Sequence, residues 1–528
     1  MNSKIILARG IKVDREYSNV LSYTEQQMVN LCLSNQIAQA DDYSFIRQNR
    51  NSISTHFTYS QCLQANYIAF QNTDYSGKWF FAWIDDVIYK SNGTTEIQYT
   101  IDFWSTWFDY WQKKPCFVVR EHVNDDRIGL HTIPENIDVG DLVCDYYRND
   151  NNVSVEEWFW VVIASNYDPT TSTTYAGLSY HDGYPQGCQW FAWHISPINP
   201  ITEFNSLNTW LASVASAQHV ADIQSMFVLP DIAINENDVD QTTHKVGNNL
   251  NKKSPEVQID RSRLLSFDDY DEVKNNKLYC YPYNFLRVSN NQGSYNDYMI
   301  EDFSPDEENP TKVIFRYFTV ACQGFASQLN PVNYKGQNFN YDENLQQGKF
   351  PNLSWSTDSF TNWISVQGQN VQVGAVLSAI SSSAQLTGGN YLGGTVSTGS
   401  SLANIIGQIR TASMQPNTAQ GNVNAGDLGF AWGTNTFRFM KMRAKKEYLQ
   451  VIDDYFSRSG YKVNVIKEPN IVGRRNWNYV EIAGTEQVGY GDVPSNAMDA
   501  INNACRKGVT IWHNHTTLGD YSLDNSIV

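Results

Sequence analysis

The feature that most constrains this chain is a long stretch without charge. No Asp, Glu, Lys or Arg lies between Asp358 and Arg410, and after Arg410 none occurs until Asp427. Glycine, alanine, serine, threonine and aliphatic residues fill Ser359 to Gly426, while the flanks are dense in tyrosine, tryptophan, asparagine and paired charges. Val373, Val376, Leu377 and Ile380 fall at i, i+3, i+4 and i+7, and Leu402, Ile405, Ile406 and Ile409 repeat the spacing. Each set predicts a short helix with one apolar stripe. Ser378, Ser381, Ser382, Asn404 and Gln408 take the opposite faces. The connection carries Leu386, Leu392 and Val396 with Gly388, Gly389, Gly393 and Gly394, which serve as hinges.

Avoiding charge has an energetic meaning. An ion at the centre of a bilayer costs roughly 2.5 to 3.5 kcal/mol, and each Leu, Ile or Val returns only about 0.3 to 0.6. The aliphatics from Val371 to Ile409 make one copy marginal in lipid, and several copies with serine faces inward line a water-filled opening. The stretch lacks the roughly 18 uninterrupted apolar residues of a spanning helix. A Gly/Ser linker with two weakly buried helices is the alternative that composition leaves open.

Beside this segment the chain reads as β-rich. Lys78 to Tyr89, a Ser91-Asn92-Gly93 turn and Thr94 to Phe103 form a hairpin pattern. Trp104, Trp107, Phe108 and Trp111 predict a core-facing helical turn ended by Lys113, Lys114 and Pro115. Arg120 to Gly140 reads as a polar linker. Strands are expected over Trp158–Ala164, Gln189–Ile195, Met226–Pro230, Lys277–Val288, Val313–Ala321, Phe437–Ala444 and Thr510–Trp512. Phe204, Leu207, Trp210, Leu211 and Val214 mark one helix face, Glu447 to Phe456 a second helix, and Ile501 to Val509 a helical or irregular piece. The expected class is mainly β (α+β), a barrel-like tube body with a long apolar insertion. The expected domains are 1–135 and 136–360, both β-rich, the 361–435 loop, and 436–528 completing the body.

Length, at 528 residues, allows several cores. Aromatics make up 13% of the chain, with 31 Tyr and 15 Trp, which suits half-buried sheets and subunit interfaces. A net charge of −17 argues against tight phosphate binding and suits a conduit to which DNA does not stick. The eight cysteines are scattered, the pattern of free thiols from a reducing cytosol. The N-terminal MNSKIILARGIKVDREY lacks a secretory signal's apolar core.

Chemistry has few candidates. Nucleophile-elbow, zincin, P-loop and dinucleotide motifs are absent from the sequence. Glu121, His122, Asp125 and Asp126 form an acidic group without a second ligand cluster, and His513 with His515 resembles an exposed tail pair. Asp453 and Asp454 are adjacent on a helix and face different ways. Trp355, Asp358 and Trp363 could stack a sugar beside a carboxylate, but hydrolysis needs two carboxyls at a fixed separation. No cofactor, catalytic residue or metal site is expected.

Three runs carry a resemblance: NNKLYCYPYNFLRVSNNQGSYNDY from Asn275, DDYFSRSGYKVNVIKEPNIVGRRNWNYVEI from Asp453, and GVTIWHN from Gly508. REHV from Arg120 and the proline-ended strand Met226–Pro230 are similar in kind. In this order, with the apolar insertion between them, they resemble the distal tail tube, or tail-knob, proteins of phi29-like short-tailed bacteriophages. The resemblance implies a virion protein at the tail tip, made in the host cytoplasm, that forms a homohexameric tube with other tail proteins as neighbours. It further implies loops that plug the lumen and then open a pore in the host cytoplasmic membrane, with genomic DNA in transit only. Carried onto this chain, that role falls on Val371, Val373, Val376, Leu377, Ile380, Leu386, Leu392, Val396, Leu402, Ile405, Ile406 and Ile409. The loop here is richer in Gly and Ser, and its helical pieces are shorter, than the family pattern. The competing expectation is a receptor-binding or cell-wall-degrading tail component.

Overall fold

The computed structural model describes residues 3–43, 46–49, 51–72, 77–154, 158–174, 180–181, 184–185, 188–195, 201–248, 250–251, 253–321, 326–340, 342–347, 352–353, 355–356, 419–420, 435–484 and 487–528. Two compact units emerge. One gathers Met1–Asp141, Asp269–Tyr283 and Ala444–Val528, and the other Leu142–Asp268 and Asn284–Arg443.

The first unit holds a seven-stranded antiparallel sheet in the order Gln36–Tyr43, Ser3–Ala8, Tyr67–Asn72, Trp79–Ser91, Thr94–Ile101, Ser52–Thr55, Ile46–Asn49. The hairpin expected from sequence is its centre. Ser91 pairs with Thr94 across Asn92 and Gly93, and Gly93 takes φ +88°, the left-handed geometry a two-residue turn requires. Strand periodicity sorts the side chains: Ile5, Leu7, Ile68, Ala82 and Ile97 go to one face, Ile6, Ala8, Tyr67, Ala69, Phe81 and Trp83 to the other. Both faces are covered. Helix Glu25–Ser34 brings Met28, Val29 and Cys32 to one, and Tyr59–Gln64 brings Cys62 to the other, each started by a Thr capping box.

A second sheet of this unit runs Asn19–Leu21, Val509–Trp512, Trp477–Ala483, Cys116–Glu121, Tyr461–Lys467. Helix Ser495–Lys507 adds Met498, Ile501, Ala504 and Cys505 to the core on it. Helix Lys446–Ser459 buries Leu449, Ile452, Asp453 and Phe456 and stops at Gly460, φ +66°, where a Cβ would collide with the Glu121 carbonyl. The aromatic run after the hairpin is helical over Phe103–Trp107 with Trp104 buried, but Trp111 instead begins a short strand paired with Gly489–Gly491.

In the second unit, Phe159–Ser165 is buried at every position, flanked by Gln189–Ile195 and Ile223–Pro230. A four-stranded sheet follows the order Leu142–Asp150, Phe437–Ala444, Asn284–Ser289, Tyr295–Tyr298. The third sheet orders Glu256–Asp260, Lys312–Val320, Ala326–Tyr334 and Gln337–Phe339. One apolar cluster joins all three, with Trp160, Trp193, Leu286, Phe315 and Phe439 among its members. Helix Ile201–Ser216 contributes Leu207, Trp210 and Val214, with Leu211 packed against them, as its spacing marked.

Two expectations fail, the second in part. Lys277–Val288 is not one strand: Asn276–Tyr279 is a 3₁₀ turn of the first unit, and Asn284–Ser289 is a strand of the second. Pro282, which lacks an amide N–H, lies between them. Arg120–Gly140 departs from a polar linker only in part, since past Val123 it has no helix or strand and is mostly exposed. Arg120 and Glu121 end a buried strand, and the Glu135 carboxylate is fully buried between Arg120 and Lys277.

Candidate functional site: the stems of the charge-free segment

Both stems of the apolar segment belong to the second unit. On the departing side Leu345–Gln347 pairs with Ala326–Tyr334, placing Gln347 opposite Ser327. Asn352–Leu353 then pairs with the edge of Ile223–Pro230, Leu353 opposite Met226. Trp355–Ser356 pairs with Ala419–Gln420, so departing and returning chain run antiparallel there. On the returning side Phe437–Ala444 enters the interior of a sheet, with Val288 opposite Phe439. Its alternating burial has Phe437 and Phe439 inward.

The stems meet at a buried group of neutral amides. Asn435 is 0% exposed and Gln347 1%. Gln292 Nε2 donates to Asn435 Oδ1 at 2.8 Å, and Gln347 Nε2 reaches the same oxygen at 3.5 Å. Asn290 completes the group. Its Nδ2 donates to the Gln346 carbonyl at 2.8 Å, and its Oδ1 accepts from the Gln292 and Ser294 amides at 2.9 and 3.0 Å. That turn needs two left-handed residues, Asn291 at φ +55° and Gly293 at φ +101°. Amides suit the place because a buried neutral hydrogen bond avoids the several kcal/mol that desolvating an ion costs. The Asn435 Nδ2 has no partner among the described residues.

Val371, Val373, Val376, Leu377, Ile380, Leu386, Leu392, Val396, Leu402, Ile405, Ile406, Ile409 and the hinges Gly388, Gly389, Gly393 and Gly394 lie outside the described residues. So do Asp358 and Trp363, the companions suggested for Trp355. Among the described residues no helix is long and apolar enough to cross a membrane.

The other candidate groups are absorbed by the fold of the first unit. Glu121 takes hydrogen bonds from Lys467 and from the Asn470 amide. His122 is wedged between the Tyr479 amide, which donates to Nδ1 at 2.8 Å, and the Ser457 carbonyl, 3.1 Å from Nε2. Burial, helped by nearby Arg474, depresses its pKa to about 3, so the ring is neutral. His513 and His515 are no exposed tail. His513 lies 2.9 Å from Ser22 Oγ and 3.0 Å from Asn478 Oδ1, and His515 Nε2 accepts from the Lys12 amide at 3.3 Å. Asp453 is buried against Tyr270 and Asn275, whereas Asp454 points out to Lys274, as helix geometry requires. No group of three or more potential metal ligands occurs among the described residues. Of the described cysteines, Cys144 is exposed and the rest are buried; burial raises the thiols of Cys32 and Cys505 to about 12.

The sequence had no means of singling out Asn290, Gln292, Gln347 and Asn435. NNQG marks a turn, but which stems face it is set by strand pairing.

A family model for the C-terminal domain of the Bacillus phage phi29 tail knob protein gp9 matches residues 242–526, more than half of the chain and both stems with it. The chain belongs to the gp9 tail knob family. A model of the caudoviral major tail protein N-terminus matches residues 1–112, the part that builds the seven-stranded sheet. Tail knob protein gp9 of Bacillus phage phi29 is 25% identical over 91% of this chain and 90% of its own length. That of Bacillus phage B103 is 24% identical over 97% and 94%. The structure of the bacteriophage C1 tail knob protein gp12 matches with a TM-score of 0.62 over the whole of both chains; at 12% identity this likeness concerns the fold. The chain is therefore a tail knob protein of the phi29-like type, a structural component of the virion tail, and its relatives bear the names of tail components rather than enzymes.

Proposed function

We propose that six copies of this tail knob protein close into a tube at the tail tip, that the charge-free segment of each copy plugs the lumen, and that on ejection these segments enter the host cytoplasmic membrane and form the pore through which DNA passes. The observation that carries the reading is the meeting of the stems. An excursion whose two ends are fastened to one buried amide group can move from lumen to membrane while the sheets on either side stay folded. The sequence of the segment supports the destination: no ionised side chain lies between Asp358 and Arg410, so its transfer avoids the ion penalty. The acidic balance supports the conduit, since a net charge of −17 gives phosphates nothing to adhere to along most of the surface.

Closure supports the fold in turn. The outermost strands of the seven-stranded sheet, Gln36–Tyr43 and Ile46–Asn49, each have one paired neighbour among the described residues, and a ring hides such edges from aggregation. The experiment is mass in solution with electron micrographs of the purified protein. A closed ring of six agrees; a monomer at micromolar concentration that gives no rings on tail assembly rejects the tube.

A further inference from the structure

A groove of about 450 Å³ opens in the second unit between strand Leu142–Asp150, strand Glu256–Asp260 and the turn Arg261–Leu264. Tyr146, Arg148, Gln258, Asp260, Ser262 and Arg263 line it. We propose that it binds a phosphate ester of a sugar or polyol. This stands apart from the tube reading and survives its failure.

The groove's volume is that of a small-ligand site rather than of a polymer track. On a strongly acidic chain it brings together two guanidiniums from separate elements, the side chain whose planar fork matches an oxyanion. Their partners within the protein hold them loosely. Arg148 donates to the Gln258 carbonyl at 2.8 Å, but its nearest carboxylate, Asp150, is 3.9 Å away. Arg263 meets Asp268 at 3.2 Å with both side chains about half exposed, a pair that an incoming phosphate can replace at little cost. Asp260 is held at the lip by Lys312, 2.6 Å away, which keeps that carboxylate from opposing the ligand. The Tyr146 ring lines the same groove, packed on the apolar cluster with the Arg263 guanidinium 5.8 Å from its centroid, and its edge is what a sugar or polyol carbon chain would meet. The exposed Ser262 hydroxyl and the Gln258 side-chain carbonyl lie at the same wall for its hydroxyls, the Gln258 Nε2 being held by Glu256 at 3.2 Å. Duplex DNA fits poorly, because it is held by a row of cations along a surface and not by two in one concavity.

The test is calorimetric titration of the full chain with glucose 1-phosphate, glucose, inorganic phosphate and a mixed-sequence oligonucleotide, with co-sedimentation on phosphatidylglycerol and phosphatidylcholine vesicles alongside. Glucose 1-phosphate is expected to bind at least tenfold tighter than glucose or phosphate. The Arg148→Gln, Arg263→Gln double variant should lose about tenfold or more of that affinity with an unchanged melting temperature, while Arg475→Gln, on the surface of the other unit, should lose none. Arginine-dependent binding to phosphatidylglycerol vesicles but not to soluble ester would identify a lipid headgroup as the source of the same chemistry. Overturning results are no binding in either arm, equal binding by the double variant, or arginine-dependent capture of the oligonucleotide alone.

Discussion

Gln347 and Asn435, 88 positions apart in the chain, bring side-chain amide and carbonyl to 3.5 Å in the buried interior of the second unit. The contact brings the departing and returning ends of the chain to one point, with Asn352–Leu353 of the departing end still paired to Ile223–Pro230. It turns a sequence observation, an abrupt change and recovery of composition, into a structural one.

Removal of the excursion should therefore spare the body. A variant in which residues 361–415 are replaced by a short Gly-Ser linker keeps the Trp355–Ser356 and Ala419–Gln420 pairing. Shortening the loop closed by that pairing from about 60 residues to about a dozen favours folding by about 1.4 kcal/mol at most. Urea unfolding should give a midpoint equal to or slightly above the parent's; a clear fall would mean that the segment is part of the core.

Asn435→Ala should weaken the fastening itself. It deletes the acceptor of the Gln292 amide and empties a fully buried side-chain position beside Gln347, a loss of about 1–3 kcal/mol. Equilibrium denaturation measures it, and Asp454→Asn, which touches only an exposed pair with Lys274, should stay within about 0.5 kcal/mol of the parent.

In the first unit Glu135→Gln should be far more damaging. The carboxylate is the shared partner of Arg120 and Lys277, both buried, and also accepts from the Lys462 amide at 2.9 Å. Neutralising it leaves two cations in low dielectric, a cost of about 3–5 kcal/mol readable by urea titration.

His122 sets part of the acid limit. Its folded pKa of about 3 lies below the unfolded value near 6.5, so between those values the unfolded chain binds the extra proton. The stabilisation is whole above pH 6.5 and falls with pH at up to about 1.4 kcal/mol per unit until the folded ring titrates. His122→Asn should flatten the pH profile of the melting temperature over that window while lowering its neutral-pH plateau. An unaltered slope would show that the ring carries none of the acid sensitivity.

How much was legible depends on the range over which each element is decided. The Trp79–Ser91 and Thr94–Ile101 hairpin was readable because Asn92 and Gly93 fix the turn and alternation fixes the face. Helix Lys446–Ser459 was readable from Leu449, Ile452 and Phe456 at helical spacing, whereas Phe437–Ala444 was readable as a strand but not by its inward face, which carries Lys441 and Arg443 beside Phe437 and Phe439. Arg120, Glu121 and Glu135 misled because they look solvated, and their burial depends on one another and on Lys277 and Lys467, far away in sequence, whereas Asp125 and Arg127 are as solvated as they look. The His513 and His515 pair misled for the same reason: Ser22, Asn478 and Lys12 reach it only through sheet pairing and tertiary packing. The amide group at the stems is legible to no local rule, since its members come from a turn, a short strand and a position two residues before another strand.

The central claim is that the charge-free segment is the membrane-active part and is separable from the body. Dye release from liposomes by the purified assembly, exposed to mild acid or detergent as a release trigger, tests it most directly. Val376→Asp with Ile406→Asp places a carboxylate on each aliphatic stripe, at roughly 2.5 to 3.5 kcal/mol per residue in lipid, and a ring multiplies that by its copies. The parent should leak dye, the double variant and the 361–415 replacement should assemble and melt as the parent does, and neither variant should leak. Leakage by both variants equal to the parent's would contradict that claim and leave the segment a linker.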